Sequence, residues 1–220
     1  RLAEAEELIV KSWTTENLTF KGKFWNVKFP ALRPVPFQKP HPPIVRACIS
    51  EASTIAMARI GRPILIGVQT TEDTANRLST YKTEMLGTGF TENQTENALN
   101  KIWVARNMFV AETESKAREL AQPGFTRERK HFREAREIYN PEGFPPLDTN
   151  KPLPVGEDFD QATIIGTPSQ VADQVAELRD LGVRNLMLKI NVGEMDTDPV
   201  QKAIKLFGES VMPKFPESKA

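Results

Sequence analysis

Two serines three residues apart, Ser50 and Ser53, stand where a short apolar run gives way to a helical pattern in PPIVRACISEASTIAMARIGRPILIG. Hydroxyls at that spacing share one face of a first helical turn, beside N–H groups with no partner inside the helix. Such a helix start suits an anion, most simply a phosphate. The same residues also suit plain capping, with Ser50 as N-cap and Ser53 idle. Other candidate chemistry is sparse. Cys48 is the only cysteine, which rules out an internal disulfide and points to a reducing, cytoplasmic setting. Its surroundings read as those of a small buried hydrophobe and not of a thiolate nucleophile. The only histidines, His41 and His131, are too few for a typical zinc site, and no metal is expected. No paired carboxylates stand out as an acid–base couple, and no Gly-x-Ser-x-Gly elbow occurs. Gly87 and Gly89 lack the lysine of a phosphate loop and read as a helix stop.

The elements that must position the serines can be read from the pattern. Residues 1–14 carry Leu2, Ala5, Leu8, Ile9 and Trp13 at helical spacing. Residues 17–33 alternate around Gly22, as a hairpin or extended excursion does. The run PVPFQKPHPP after it lacks many backbone donors and forms a rigid, extended connector. Strands are expected at Ile44–Ile49, Pro63–Val68, Lys101–Ala111 and Asn185–Ile190. A helix over 51–60 stops at Gly61. Thr70 or Thr71 caps the next, which has Glu72 and Asp73 in its first turn. Thr113 caps a third. The run Gly166-Thr167-Pro168-Ser169-Gln170 combines a Thr cap, Pro at the first helical position and Gln three residues on, a capping box. Val171, Val175, Leu178 and Leu181 form that helix's buried stripe, and a last helix starts at Asp198-Pro199. Alternating strands and helices imply an α/β fold with a parallel sheet. Four such units are half of an eight-stranded barrel, and an open sheet is the competing architecture.

Composition bounds the rest. The chain has 220 residues, 29 Lys plus Arg against 29 Asp plus Glu, and a formal net charge of zero. That balance gives no footing for nucleic acid or an anionic membrane, and no apolar run is long enough for a bilayer span. The length suits one domain over 1–220. Residues 123–160 are the least orderly stretch, read as a mobile loop or lid. The basic run near its start (Arg127, Arg129, Lys130, His131, Arg133, Arg136) reads as a solvated helix face, with a ligand-closing lid as the alternative and His131 as a surface residue. Arg106 and Asn107 lie mid-strand, and a buried arginine needs either an acid or a cofactor contact. The chain opens at Arg1 inside a helical pattern, so it is expected to be the C-terminal part of a longer protein.

Three segments, PFQKPHPPIVRACISEASTIAMARIGRPILIG, IIGTPSQVADQVAELRDLGVRNLMLKI and IKLFGESVMPKF, follow one another in an order that resembles the bacterial luciferase-like, flavin-dependent monooxygenases. No single motif is diagnostic; the ordered set is. The resemblance implies a (β/α)8 TIM barrel of which this chain supplies the C-terminal half, strands five to eight, with the site at the strands' C-terminal ends. It implies reduced FMN and O2 as co-reactants and oxidation of a small organic substrate, such as an aldehyde, alkane or ketone, through a hydroperoxyflavin. A separate NAD(P)H:flavin reductase and a homo- or heterodimer belong to the same expectation. Ser50 and Ser53 match the family's phosphate-binding pair. Ala47, Cys48, Ile49 and Val68 would lie near the flavin ring. Gly67, Gln69, Asn191 and Gly193 also fall at strand ends. The catalytic residues are unknown and expected on the earlier strands. A deazaflavin-dependent oxidoreductase of the same fold and a non-catalytic, luciferase-like partner subunit are the alternatives.

Overall fold

The computed structural model describes residues 1–143, 156 and 158–216, which fall into two units, Arg1–Ile44 and Val45–Ala220. The first unit holds helix α1 (Leu2–Thr14) and an antiparallel hairpin, β1 (Leu18–Lys21) and β2 (Asn26–Phe29). The carboxylate of Glu4 binds the hairpin turn, accepting the backbone N–H groups of Lys23, Phe24 and Trp25 at 3.0, 2.8 and 3.0 Å. Leu18 and Phe20 are its buried side chains.

The second unit starts with strand β3 (Arg46–Cys48), helix α2 (Glu51–Ala58), strand β4 (Ile64–Ile66) and helix α3 (Thr71–Gly87). Helix α4 (Glu92–Leu99), strand β5 (Trp103–Val110) and the long helix α5 (Glu114–Tyr139) follow. Then come α6 (Phe159–Ala162), β6 (Thr163–Gly166), α7 (Pro168–Asp180), β7 (Asn185–Lys189) and α8 (Thr197–Ser210). The four expected strands lie in parallel in the order β3-β4-β5-β7. The core packs between this sheet and its helices, with Ile64, Ile66, Val104, Met108, Tyr81 and Val171 fully buried. Each such side chain contributes about 1.5–3 kcal/mol through burial. β5 is buried from Val104 to Val110, the continuous pattern of a strand covered on both faces.

Three elements differ from the expectation. β6 is a fifth parallel strand, paired with the distal half of β5 from Asn107↔Thr163 to Val110↔Gly166. Its four residues are all buried, so they show no alternation, and the strong cap signal that follows masks them. The side-chain amide of Gln174 completes its ladder: Nε2 donates to the Ile165 carbonyl at 2.9 Å and Oε1 accepts from its N–H at 3.3 Å. One rung of an edge strand is thereby covered without another chain. α4 buries only Thr95 and Ala98, too little for an apolar stripe. Its capping box, Thr91 with Gln94, was the available signal.

The third difference is α5. It continues through Pro123 to Tyr139, so the first part of the expected 123–160 loop is helix. A proline lacks an N–H and weakens a helix interior, which made a break there the natural reading. Of the lid expected over 123–160, residues 144–155 and 157 lie outside the described residues. Here α5 touches the loop after β7. A Cβ on Gly193 (φ +58°) would collide with the carbonyl of Gly124, and one on Gly124 would collide with the carbonyl of Val192. Arg127 clamps the same contact, donating Nε to the Gly193 carbonyl at 2.9 Å and Nη2 to that of Glu194 at 3.1 Å. Among the described residues no helix is long and apolar enough to cross a membrane.

Candidate functional site

Parallel strands leave their C-terminal ends on one side, and there the second unit has a cavity of about 320 Å³. Alternation along the strands sends Ala47, Leu65, Ala105, Asn107, Met187 and Lys189 into it, and Cys48, Ile49, Gly67 and Val68 complete the rim around β3 and β4. Four of the six residues proposed from sequence therefore come together: Ala47, Cys48, Ile49 and Val68. Cys48 is 2 % exposed and Ile49 is 89 % exposed, so one packs the wall and the other stands at the mouth. The Cys48 thiol donates a long bond of 3.6 Å to the Ser53 carbonyl, joining β3 to the first turn of α2.

Ser50 and Ser53 sit at that first turn and do not line the cavity. Ser50 is the N-cap, and its Oγ accepts from the Ser53 N–H at 3.2 Å. The Ser53 hydroxyl donates to the Ser50 carbonyl at 2.7 Å, and the Ser50 hydroxyl to Ser53 Oγ at 3.2 Å. The pair caps the helix and is not idle at either residue. The N–H groups of Glu51 and Ala52 have no acceptor within the helix, and Ser50 is exposed. Two bare amides and two rotatable hydroxyls fit a phosphate; the Glu51 carboxylate in the same turn opposes one. Arg77, on α3, was not identified from sequence. Its Nη1 donates to Thr54 Oγ1 at 3.1 Å and its Nη2 to Gln69 Oε1 at 3.4 Å, which puts a cation behind the first turn of α2. No local pattern could have linked two residues on different helices.

Arg106 resolves an open question. It is 4 % exposed, yet its partners are neutral oxygens: the Ala105 carbonyl at 2.8 Å, Thr74 Oγ1 at 2.6 Å and the Thr70 carbonyl at 3.4 Å. It binds the start of α3 and also reaches the cavity wall. Burial pushes its guanidinium down to about 10, so it stays charged at neutral pH. Asn107, buried on the neighbouring position, lines the cavity opposite Lys189 in register.

The basic run lies along α5, where His131 is exposed and Lys130 pairs with Glu134 at 3.7 Å. Arg129 departs from that solvated face and lines the cavity. Lys189 was also missed, although a lysine ending the apolar strand NLMLKI was a legible signal. Asn191 and Gly193 do not reach the cavity; Gly193 is instead held against α5. Among the described residues no group of His, Cys, Asp and Glu could hold a metal ion.

The family described as luciferase-like monooxygenase matches residues 1–185. The FMNH(2)-dependent dimethylsulfone monooxygenase of Pseudomonas putida is 26% identical over 91% of this chain and 54% of its own length. The chain thus spans about half of that curated relative. The crystal structure of monooxygenase RslO1 from Streptomyces bottropensis superposes with a TM-score of 0.72 at 23% identity, over 97% of this chain and 60% of that one. The coenzyme F420-dependent tetrahydromethanopterin reductase of Methanopyrus kandleri gives 0.66 at 18% identity, over 98% and 63%. These likenesses identify the parallel sheet as part of a luciferase-like TIM barrel. The chain belongs to the luciferase-like monooxygenase family.

Proposed function

We propose that this chain forms the cofactor-binding half of a flavin-dependent monooxygenase that uses reduced FMN and O2 to oxidise a small organic substrate. The observation that carries this reading is the open start of α2 beside the strand-end cavity, in a chain of this family. The Ser50 and Ser53 hydroxyls, with the N–H groups of Glu51 and Ala52, would hold the phosphate. Ala47, Cys48, Ile49 and Val68 would pack against the ring and exclude water from it. The bound reduced flavin supplies the electrons that activate O2. A relative whose name specifies FMNH(2) supports this cofactor. A separate NAD(P)H:flavin reductase would deliver it.

The test is fluorescence titration of the intact protein with FMN, followed by oxygen uptake with photoreduced FMN. Micromolar FMN binding and oxygen uptake dependent on an organic substrate are the expected results. Absence of any flavin binding overturns the reading. A second reading rests on the likeness to the Methanopyrus kandleri reductase, whose name specifies coenzyme F420. Binding of this deazaflavin in preference to FMN would favour hydride transfer on the same fold.

A further inference from the structure

Positive charge reaches the cavity from two elements. Lys189 ends β7, with its Nζ donating to Glu128 Oε1 at 2.6 Å. Arg129, on α5, donates Nη2 to Glu128 Oε2 at 3.1 Å and Nη1 to the Gly156 carbonyl at 3.0 Å. Its guanidinium is steadied by two rings, with its centre 5.6 Å from the Phe125 centroid and 5.0 Å from that of Phe132. Both cations line the cavity. Arg106, on β5, borders it too, but its guanidinium turns to the start of α3, on Thr70 and Thr74. One carboxylate, Glu128, answers both Lys189 and Arg129. Among the described residues Arg129 Nε is buried without a hydrogen-bond partner. Such a donor carries a desolvation penalty that an acceptor on a ligand would remove.

The remaining wall is apolar, formed by Ala47, Leu65, Val68, Ala105 and Met187. A cleft with low-dielectric walls and an excess of one charge concentrates the opposite charge. The cations also lie at the far end of the strand row from Ser50. In the order β3-β4-β5-β7 the outer strands are three spacings apart, or about 14 Å. One phosphate cannot serve both ends, so a flavin phosphate at α2 leaves Lys189 and Arg129 free for another anion.

We infer that the cavity takes a small organic acid anion of the alkyl sulfonate or carboxylate type. Its acid group lies at Lys189 and Arg129, with Nε of Arg129 as one donor, and its alkyl body lies on the Leu65–Ala105–Met187 wall. That this anion is the substrate rests on the monooxygenase reading; that it binds does not.

Calorimetric titration of the intact protein with 1-hexanesulfonate, hexanoate, 1-hexanol and sodium sulfate tests the inference, with FMN affinity measured separately by fluorescence. The two organic acids should bind about tenfold or more tighter than 1-hexanol, because charge-assisted hydrogen bonds are the stronger kind. Lys189→Met and Arg129→Gln should each weaken hexanesulfonate about fivefold or more and leave FMN affinity unchanged. Equal binding of hexanesulfonate and hexanol overturns the inference, as does sulfate binding as tightly as hexanesulfonate. Loss of FMN affinity with hexanesulfonate binding retained in the two variants assigns the cations to the cofactor and also overturns it. Should a variant fail to fold, salt supplies the same test on the unaltered protein. Raising ionic strength from about 0.05 to about 0.5 M should weaken hexanesulfonate severalfold and spare hexanol; salt-independent binding of both overturns the inference. Hexanesulfonate binding without any flavin binding would leave this inference standing and sink the proposed function.

Discussion

Two helix starts in the same sheet, those of α2 and α7, begin alike and end differently. Both follow a parallel strand, and both open on a hydroxyl that accepts the N–H three residues on. Ser50 takes that of Ser53 at 3.2 Å, and Thr167 takes that of Gln170 at 3.4 Å. At α7 the third residue is long enough to return the bond. Gln170 Oε1 accepts the Thr167 N–H at 2.9 Å, and its Nε2 reaches Glu114 on α5 at 2.8 Å. Pro168 removes one further N–H from the turn. At α2 the third residue is a serine, whose hydroxyl donates to the Ser50 carbonyl and accepts from the Ser50 hydroxyl. The amides of both Glu51 and Ala52 remain without an internal acceptor, where the proline of α7 leaves only that of Ser169. A side chain long enough to return the bond to the cap, together with a proline in the first turn, separates a closed structural joint from an end open to a ligand.

The sharpest way to break this comparison is to remove both hydroxyls at α2. Ser50→Ala with Ser53→Ala should weaken FMN about 10- to 100-fold, the loss of one or two hydrogen bonds to a charged group at about 1.5–3 kcal/mol. Thr167→Ala should leave FMN affinity unchanged. Fluorescence titration of the two variants side by side is the measurement; equal behaviour would remove the functional distinction between the two ends.

Stability should run the other way. Thr167→Ala is expected to cost about 1–2 kcal/mol and Ser50→Ala about 1 kcal/mol or less, within the range for lost caps. Urea unfolding decides the order. A stricter version closes the open end by design. Ser53→Gln would give α2 the reciprocal bonds of α7, raising stability by about 0.5 kcal/mol while lowering FMN affinity. A variant that gains stability and keeps its FMN affinity would show that the Ser53 hydroxyl plays no part in binding.

The α7 joint was legible because all of its parts lie within five residues, Gly166 to Gln170. The α2 start was legible as far as its backbone logic, and β3, β4, β5 and β7 as apolar runs between stops. What was not legible depends on distance along the chain. Arg129 reads as one more charge on a basic helix until α5 packs beside β7, and Arg77 meets Thr54 only through the packing of α3 on α2. β6 failed for a different reason. A four-residue strand buried throughout carries no period, and its rung is completed by Gln174, which looks like an ordinary helix surface residue. The continuation of α5 past Pro123 follows from its buried neighbours Ala121, Gly124 and Phe125; tertiary packing there outweighs a local breaker.

The smallest effect concerns acid. Hydrogen bonds from Arg118, and next from Gln170, hold the Glu114 carboxyl below its ordinary value of 4.5. A carboxylate lowered in the folded state adds stability that is fully present above its unfolded pKa and is lost as pH falls through the folded one. Thermal midpoints of the unaltered protein should therefore decline below pH 4.5 in part through Glu114. Gln170→Ala removes one of the donors at the α7 joint, brings the folded value closer to the unfolded one, and should flatten that decline below pH 4.5. The carboxylate is exposed, so the difference should be small and should fade in high salt. Ser53→Ala takes away no carboxylate partner at α2 and should leave the acid limb parallel to that of the unaltered protein. If Gln170→Ala and Ser53→Ala gave identical acid limbs, the bond from α7 to α5 would contribute no pH-linked stability, and the two helix starts would differ in their ligand alone.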